Sequence, residues 1–230
     1  MLQKFDERNR NLIVNVNGEL VHRDEARISP FDSSVQGGDA VWEGLRLYRG
    51  RIFRLDQHLE RLARSARALA FAQVPTREQI TGEIRRTLAA NSMFDGVHIR
   101  LTLTRGVKLT SGMDPRLNTQ GPTLIVLAEH KAPVYAKTGL SLVTSSVRRF
   151  PPDCLDPKIH HSNLIQSILA KPIIMTKDEM MKEIPEDCSE DSDGWYHPGI
   201  EKWASAAYLD NFFLRPADPE KYDPKSHPKQ

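Results

Sequence analysis

Cysteine is nearly absent from this 230-residue chain: Cys154 and Cys188 are the only two. That excludes a disulfide framework and a cysteine zinc site. Long apolar runs are missing as well, so nothing approaches the roughly 20 residues a membrane helix needs. The opening residues are polar and hold no apolar secretory core, which makes a cytoplasmic location the expectation. Charge of one sign is not in excess: 32 Lys and Arg against 30 Asp and Glu leave a net +2. Such a balance does not point to nucleic acid. What is present is an ordinary folding composition, with 39% hydrophobic and 27% charged residues, in a chain long enough for one large domain or two small ones.

The N-terminal part alternates between two periods. Residues 12–22 read as a hairpin, with Asn17-Gly18 as a two-residue turn whose positions tolerate positive φ. Residues 29–38 read as loop. Val41 to Tyr48 and Arg51 to Arg54 form a second hairpin around Arg49-Gly50. Helical spacing follows. Leu59, Leu62, Ala66, Leu69 and Ala70 make one apolar face after Asp56 as N-cap, and Ile80, Ile84 and Leu88 make another after a Thr76/Gln79 capping box. His98–Thr104 and Leu124–Ala128 read as strands. The order predicts an α+β fold with helices on one face of a mainly antiparallel sheet.

Residues 131–137 read as a linker and 140–147 as a further strand, broken by Phe150-Pro151-Pro152. A helix is expected over Ser162–Lys171, stopped by Pro172. Residues 177–193 carry eight acidic residues. The proline-rich stretch 216–230 has too few apolar residues to offset its chain entropy. Between them, Trp195, Tyr196, Trp203, Tyr208, Phe212 and Phe213 suit a short helix or strand.

Several residues stand out chemically. Lys158 follows a proline and precedes a helix start, so it is held in place. A lysine that forms a Schiff base must be fixed and partly desolvated. Arg61 shares a helix face with Leu62 and Ser65, and a guanidinium can hold a phosphate through two N–H groups. Trp42 is a bulky aromatic in a strand with charged neighbours. Arg100 and Arg105 are five residues apart on one strand, so at most one points into a given pocket. His160 and His161 lack a third metal ligand at suitable spacing.

These stretches, in this order, resemble the class IV pyridoxal-phosphate aminotransferases, the family of branched-chain amino acid aminotransferase, D-amino acid aminotransferase and aminodeoxychorismate lyase. The matching segments are Asn15-Val16-Asn17-Gly18, Ser29-Pro30-Phe31-Asp32, Gly38 to Gly44, His58 to Ala66, Arg100 to Gly106, and Lys158 to Ala170. The resemblance implies a small N-terminal α+β domain over residues 1–130, a 131–137 linker, and a second α/β domain beginning at 138–175. It implies a homodimer and pyridoxal 5'-phosphate as cofactor. Lys158 matches the lysine that carries the cofactor and moves the substrate proton. Arg61 matches the phosphate arginine, and Asn163 lies near a helix residue that touches the cofactor. Arg100 or Arg105 would meet the substrate carboxylate, and Trp42 would line the pocket.

The implied reaction is transamination between a small amino acid and a 2-oxo acid, with Trp42-Glu43-Gly44-Leu45-Arg46 leaning towards branched-chain substrates. A lyase of the same family is the sibling alternative. The resemblance covers about residues 10–171. The family's glutamate for the pyridine nitrogen has no match in 172–230, so the second domain is expected to be incomplete and residues 176–230 to be a divergent tail. A non-catalytic relative acting through its dimer surface is therefore a second expectation.

Overall fold

The computed structural model describes residues 4–133, 147–170, 189–191 and 194–196. The chain divides into two compact units, residues 1–140 with 149–164 and residues 141–148 with 165–230.

The first unit is built on a six-stranded antiparallel sheet. Its strands are β1 (Ile13–Val16), β2 (Glu19–His22), β3 (Ala40–Tyr48), β4 (Arg51–Ile52), β5 (Val97–Thr104) and β6 (Thr123–His130), in the order β2-β1-β6-β5-β3-β4. Both hairpins lie where the turn residues put them, with Asn17, Arg49, Gly18 and Gly50 at positive φ.

The stretch read as loop over 29–38 holds a short helix, α1 (Ser33–Gly37). Asp32 caps its start through Ser34 N, and Gly38, at a left-handed φ of 65, ends it. The second Asp32 oxygen accepts from Thr104 Oγ1 at 2.9 Å and Thr123 Oγ1 at 3.0 Å, which ties this corner to β5 and β6.

Strand parity decides which side of the sheet is buried. Val41, Leu45 and Leu47 of β3, Val97, Ile99, Leu101 and Leu103 of β5, and Leu124, Val126 and Ala128 of β6 turn inward. Leu59, Leu62 and Ala66 of helix α2 (Leu55–Ala68) and Ile80, Ile84 and Leu88 of helix α3 (Arg77–Ala90) complete this core. Each of the larger side chains contributes about 1.5–3 kcal/mol by leaving water.

Helix α3 starts at the expected Thr76/Gln79 capping box. Helix α2 differs from expectation. Its N-cap is Arg54, at φ 50, with no side-chain cap bond, and Asp56 falls inside the first turn. There its negative charge still favours the helix N-terminus.

In the second unit, α4 (Ile165–Leu169) is shorter than the expected 162–171 helix. Strands β7 (Ser189–Asp191) and β8 (Gly194–Tyr196) pair antiparallel. The expected strand at 140–147 falls outside the described residues, apart from Val147. Residues 171–188 and 197–230 lie outside them too. Among the described residues, no helix is long and apolar enough to cross a membrane.

Candidate functional site

Strand β4 pairs only with the far end of β3, so the Ala40–Trp42 edge of β3 is open to another segment. Residues 160–162 take it. Trp42 N donates to His160 O at 3.0 Å, Ser162 N donates to Ala40 O at 2.8 Å, and Val41 bridges His161. Just upstream, Asp156-Pro157-Lys158-Ile159 forms a tight turn. Ile159 N donates to Asp156 O at 3.0 Å and Lys158 N to Asp156 Oδ1 at 2.9 Å. Proline at the second turn position presets that bend. His160 N donates to Ser65 Oγ of α2 at 3.0 Å. Lys158 is thus carried on backbone pinned to both β3 and α2, but the residue is exposed, so the fixation expected of it is present and the partial desolvation is not.

An open cleft of about 440 Å³ results, lined by Arg61, Arg64, Ser65 and Ala68 of α2 and by residues 156–160. The four α2 residues follow the i, i+3, i+4, i+7 spacing of one helix face. The cleft brings Lys158 and Arg61 together, two residues 97 positions apart in sequence.

Beneath the cleft lies a residue that spacing alone does not single out. Glu43 shares the inward parity of Val41, Leu45 and Leu47, and its side chain is 0% exposed. Arg61 holds it with two bonds, Nε to Oε1 at 2.7 Å and Nη2 to Oε2 at 2.6 Å. His58 Nδ1 lies 2.7 Å from Oε2, and His160 Nδ1 lies 3.4 Å from Oε1 without hydrogen-bond alignment. Burial pushes the Glu43 carboxyl up, but Arg61, His160 and His58 outweigh it and hold the group at about 2. A signal for it exists in the sequence: a carboxylate at an apolar-parity strand position needs buried partners, and His58 and Arg61 stand one helical turn apart.

Trp42 has the opposite parity and faces away from the helices. Its Nε1 donates to His161 O at 3.1 Å, and its ring lies 4.2 Å from that of His160. The Arg100 guanidinium sits 3.5 Å from the Trp42 ring centroid, a cation–π contact. Burial pushes Arg100 down from its ordinary range. Trp42 and Arg100 therefore form a second cluster, joined to the cleft through His160.

Arg105 is placed elsewhere. It binds Asp39 at 2.6 and 3.1 Å and the Leu69 and Ala70 carbonyls at 2.7 and 3.1 Å, and it lies over Phe71. Only 13% of its side chain is exposed, and it borders a separate hollow of about 310 Å³. Asn163 is exposed, next to Gly38, and its backbone N donates to His161 Nδ1 at 3.1 Å.

His98 lies on the same outward face as Arg100 and Arg46. Burial first, then the charges of Lys131, Arg46 and Arg100, lower it to about 4. Unfolded, its ordinary value is 6.5. The neutral form stabilises the fold fully above pH 6.5, and that stability is lost as pH falls towards 4. Denaturant melts across this window should show a loss of up to about 2 kcal/mol from this group, allowing for its partial exposure. His98→Gln should remove that slope, and an unchanged slope would assign it to other groups.

Comparisons with known proteins bear on the family and the fold. The family amino-transferase class IV matches residues 40–178. Branched-chain-amino-acid aminotransferase-like protein 2 of Arabidopsis thaliana is 58% identical over 164 residues, which is 71% of this chain and 29% of that protein. A putative branched-chain-amino-acid aminotransferase of Methanocaldococcus jannaschii is 38% identical over 156 residues, 68% of this chain and 53% of that one. Among solved structures, the branched-chain aminotransferase of the thermophilic archaeon Thermoproteus uzoniensis, crystallised with norvaline, superimposes with a TM-score of 0.59 at 25% identity. The match covers 70% of this chain and 55% of that one. The chain thus spans between 29% and 55% of the length of these relatives. With the family match covering more than half of its residues, and its fold shared with solved members, the chain belongs to the class IV aminotransferases.

Proposed function

We propose that this chain serves pyridoxal-phosphate-dependent transamination between a small, branched-chain-like amino acid and a 2-oxo acid, with Lys158 holding the cofactor. The observation that carries this is the cleft in which a pinned lysine and two arginines converge.

The residues present fit the cofactor by their chemistry. Lys158 offers a primary amine. Glu43 occupies two of the five N–H groups of Arg61, leaving the outer edge of the guanidinium for a phosphate. Arg64 adds a second cation one turn further along α2. When bound, pyridoxal phosphate supplies an electron sink for charge developing on the substrate's α-carbon.

The chain's own residues do the rest. Arg61 and Arg64 bind and orient the phosphate. Lys158 Nζ is the attachment point and the base that takes up or returns the α-proton. Arg100 receives the substrate carboxylate: it is half-buried and desolvated, so an incoming anion is held strongly there. Of the two arginines offered by the sequence, Arg105 has most of its donors committed to Asp39, Leu69 and Ala70. Trp42 gives the apolar wall beside Arg100, and Asn163 stands at the rim near Gly38. The relatives' names favour transamination of branched-chain substrates over the lyase alternative.

The test is an absorbance spectrum of the purified chain after incubation with pyridoxal phosphate and dialysis, alongside Lys158→Ala. The expected result is a visible band in the wild type alone, with borohydride fixing the cofactor to Lys158 by mass spectrometry. A band retained by Lys158→Ala, or an adduct on another lysine, overturns the assignment.

A further inference from the structure

We propose that Glu43 is a positioning residue for phosphate recognition: it grips the inner edge of Arg61 so that the outer edge is presented to the cleft. The inference rests on the cofactor reading of that cleft given above.

Three observations carry it. The first is rigidity. Glu43 projects from the middle of β3, is 0% exposed, and is contacted by His58 and His160 in addition to Arg61. The second is the manner of the grip. Nε and Nη2 of Arg61 are both engaged, at 2.7 and 2.6 Å, which fixes the plane and the rotation of the guanidinium. A single bond would leave it free to swing, and at 42% side-chain exposure solvent would let it. The third is direction. The edge gripped by Glu43 belongs to the core side of α2, while Arg61 also lines the cleft with Lys158. The three N–H groups not used by Glu43 include one on each terminal nitrogen, the pair that can meet two phosphate oxygens at once.

The chemistry has a cost that supports a positioning role. Glu43 neutralises the Arg61 charge, so Arg61 acts less as a free cation than as a directional donor. Its value for a phosphate then depends on geometry, and that geometry depends on Glu43.

The prediction concerns preference rather than affinity in general. Dissociation constants for pyridoxal 5'-phosphate and for unphosphorylated pyridoxal are measured by absorbance titration. The full chain is used, as wild type, Glu43→Gln, Arg61→Ala, the double variant and Glu43→Asp. Glu43→Gln should lower the preference for the phosphorylated form about tenfold and leave pyridoxal binding unchanged. Arg61→Ala should lower it at least as much, and the double variant no further, because Glu43 acts through Arg61. Equal losses for both ligands, or a Glu43→Gln effect that persists in the Arg61→Ala background, overturns the proposal. Should Glu43→Gln fail to fold, Glu43→Asp decides. It keeps the charge but shortens the reach, so an undiminished preference overturns the proposal, as does failure of this variant to fold as well. A wild type with no preference for the phosphorylated form overturns the cofactor reading itself, a result distinguishable from all of these.

Discussion

Glu43→Ala is expected to destabilise the protein by about 3 kcal/mol at pH 7, because it breaks a buried ion pair by removing only one partner. The Arg61 guanidinium loses both carboxylate bonds, His58 loses its 2.7 Å partner, and a cavity opens under β3. The half-exposure of Arg61 keeps the loss at the lower end of the range for such changes, since water reaches the abandoned charge.

The dependence on pH follows from the depressed carboxyl. Glu43 sits at about 2 in the folded chain against 4.5 ordinarily. The stability it adds is therefore fully present above pH 4.5 and is lost as pH falls through about 2. Urea melts of wild type and variant should show a gap that is constant from about pH 7 to about pH 5 and shrinks below pH 4.5. A gap that does not change with pH would mean that packing, and not charge, accounts for it.

Asp114 is a useful contrast. Arg116 holds it at about 2 as well, yet the pair is solvent-exposed. Screening by water leaves the ion pair little to contribute, so Asp114→Ala should lower the melt only slightly, through loss of the cap bond that Asp114 Oδ1 accepts from Arg116 N at 2.9 Å.

Gly106→Ala is the second large effect. Gly106 follows the end of β5 at φ 107, in the left-handed region that favours glycine. An added Cβ would overlap the Gly121 carbonyl oxygen and fall 2.9 Å from its carbon. Both obstacles are backbone, so no side-chain rotation relieves them. The position cannot shift freely either. Gly106 N donates to Thr104 Oγ1 at 2.9 Å, and its carbonyl accepts from Ser33 N at 3.0 Å and Asn118 Nδ2 at 2.7 Å. Backbone strain and overpacking together predict a loss of about 3–4 kcal/mol. A thermal melt indistinguishable from wild type would show that the 105–122 segment relaxes far more easily than its hydrogen bonds imply. By comparison, Gly82 faces open space at helical φ, and Gly82→Ala should raise stability by about 0.5–1 kcal/mol through helix propensity.

Features that depend on neighbouring residues are written in the sequence alone. Asn17-Gly18 and Arg49-Gly50 place two turns, Thr76 and Gln79 start a helix, and period-two runs mark β3, β5 and β6. Local sterics and hydrogen bonds govern these, and they are encoded within a few positions. The candidate site is legible in part. Lys158 stands out by its proline turn and Arg61 by its helix face, with the ordered motifs linking the two. The short helix α1 escapes such a reading because its signal, a single Asp32 cap and a Gly38 stop, spans only one turn.

Packing between distant elements sets the rest. The Lys158 segment reaches α2 by pairing with the open edge of β3, through backbone hydrogen bonds that any side chains permit. Two partners of Glu43, His58 and Arg61, lie on a helix 15 to 18 residues away, and the proposed choice of Arg100 over Arg105 rests on what Asp39 and two helix-end carbonyls already occupy. These are contacts between elements brought together by burial of one shared core. Their geometry belongs to the packed sheet and helices as a whole, and no local pattern carries it.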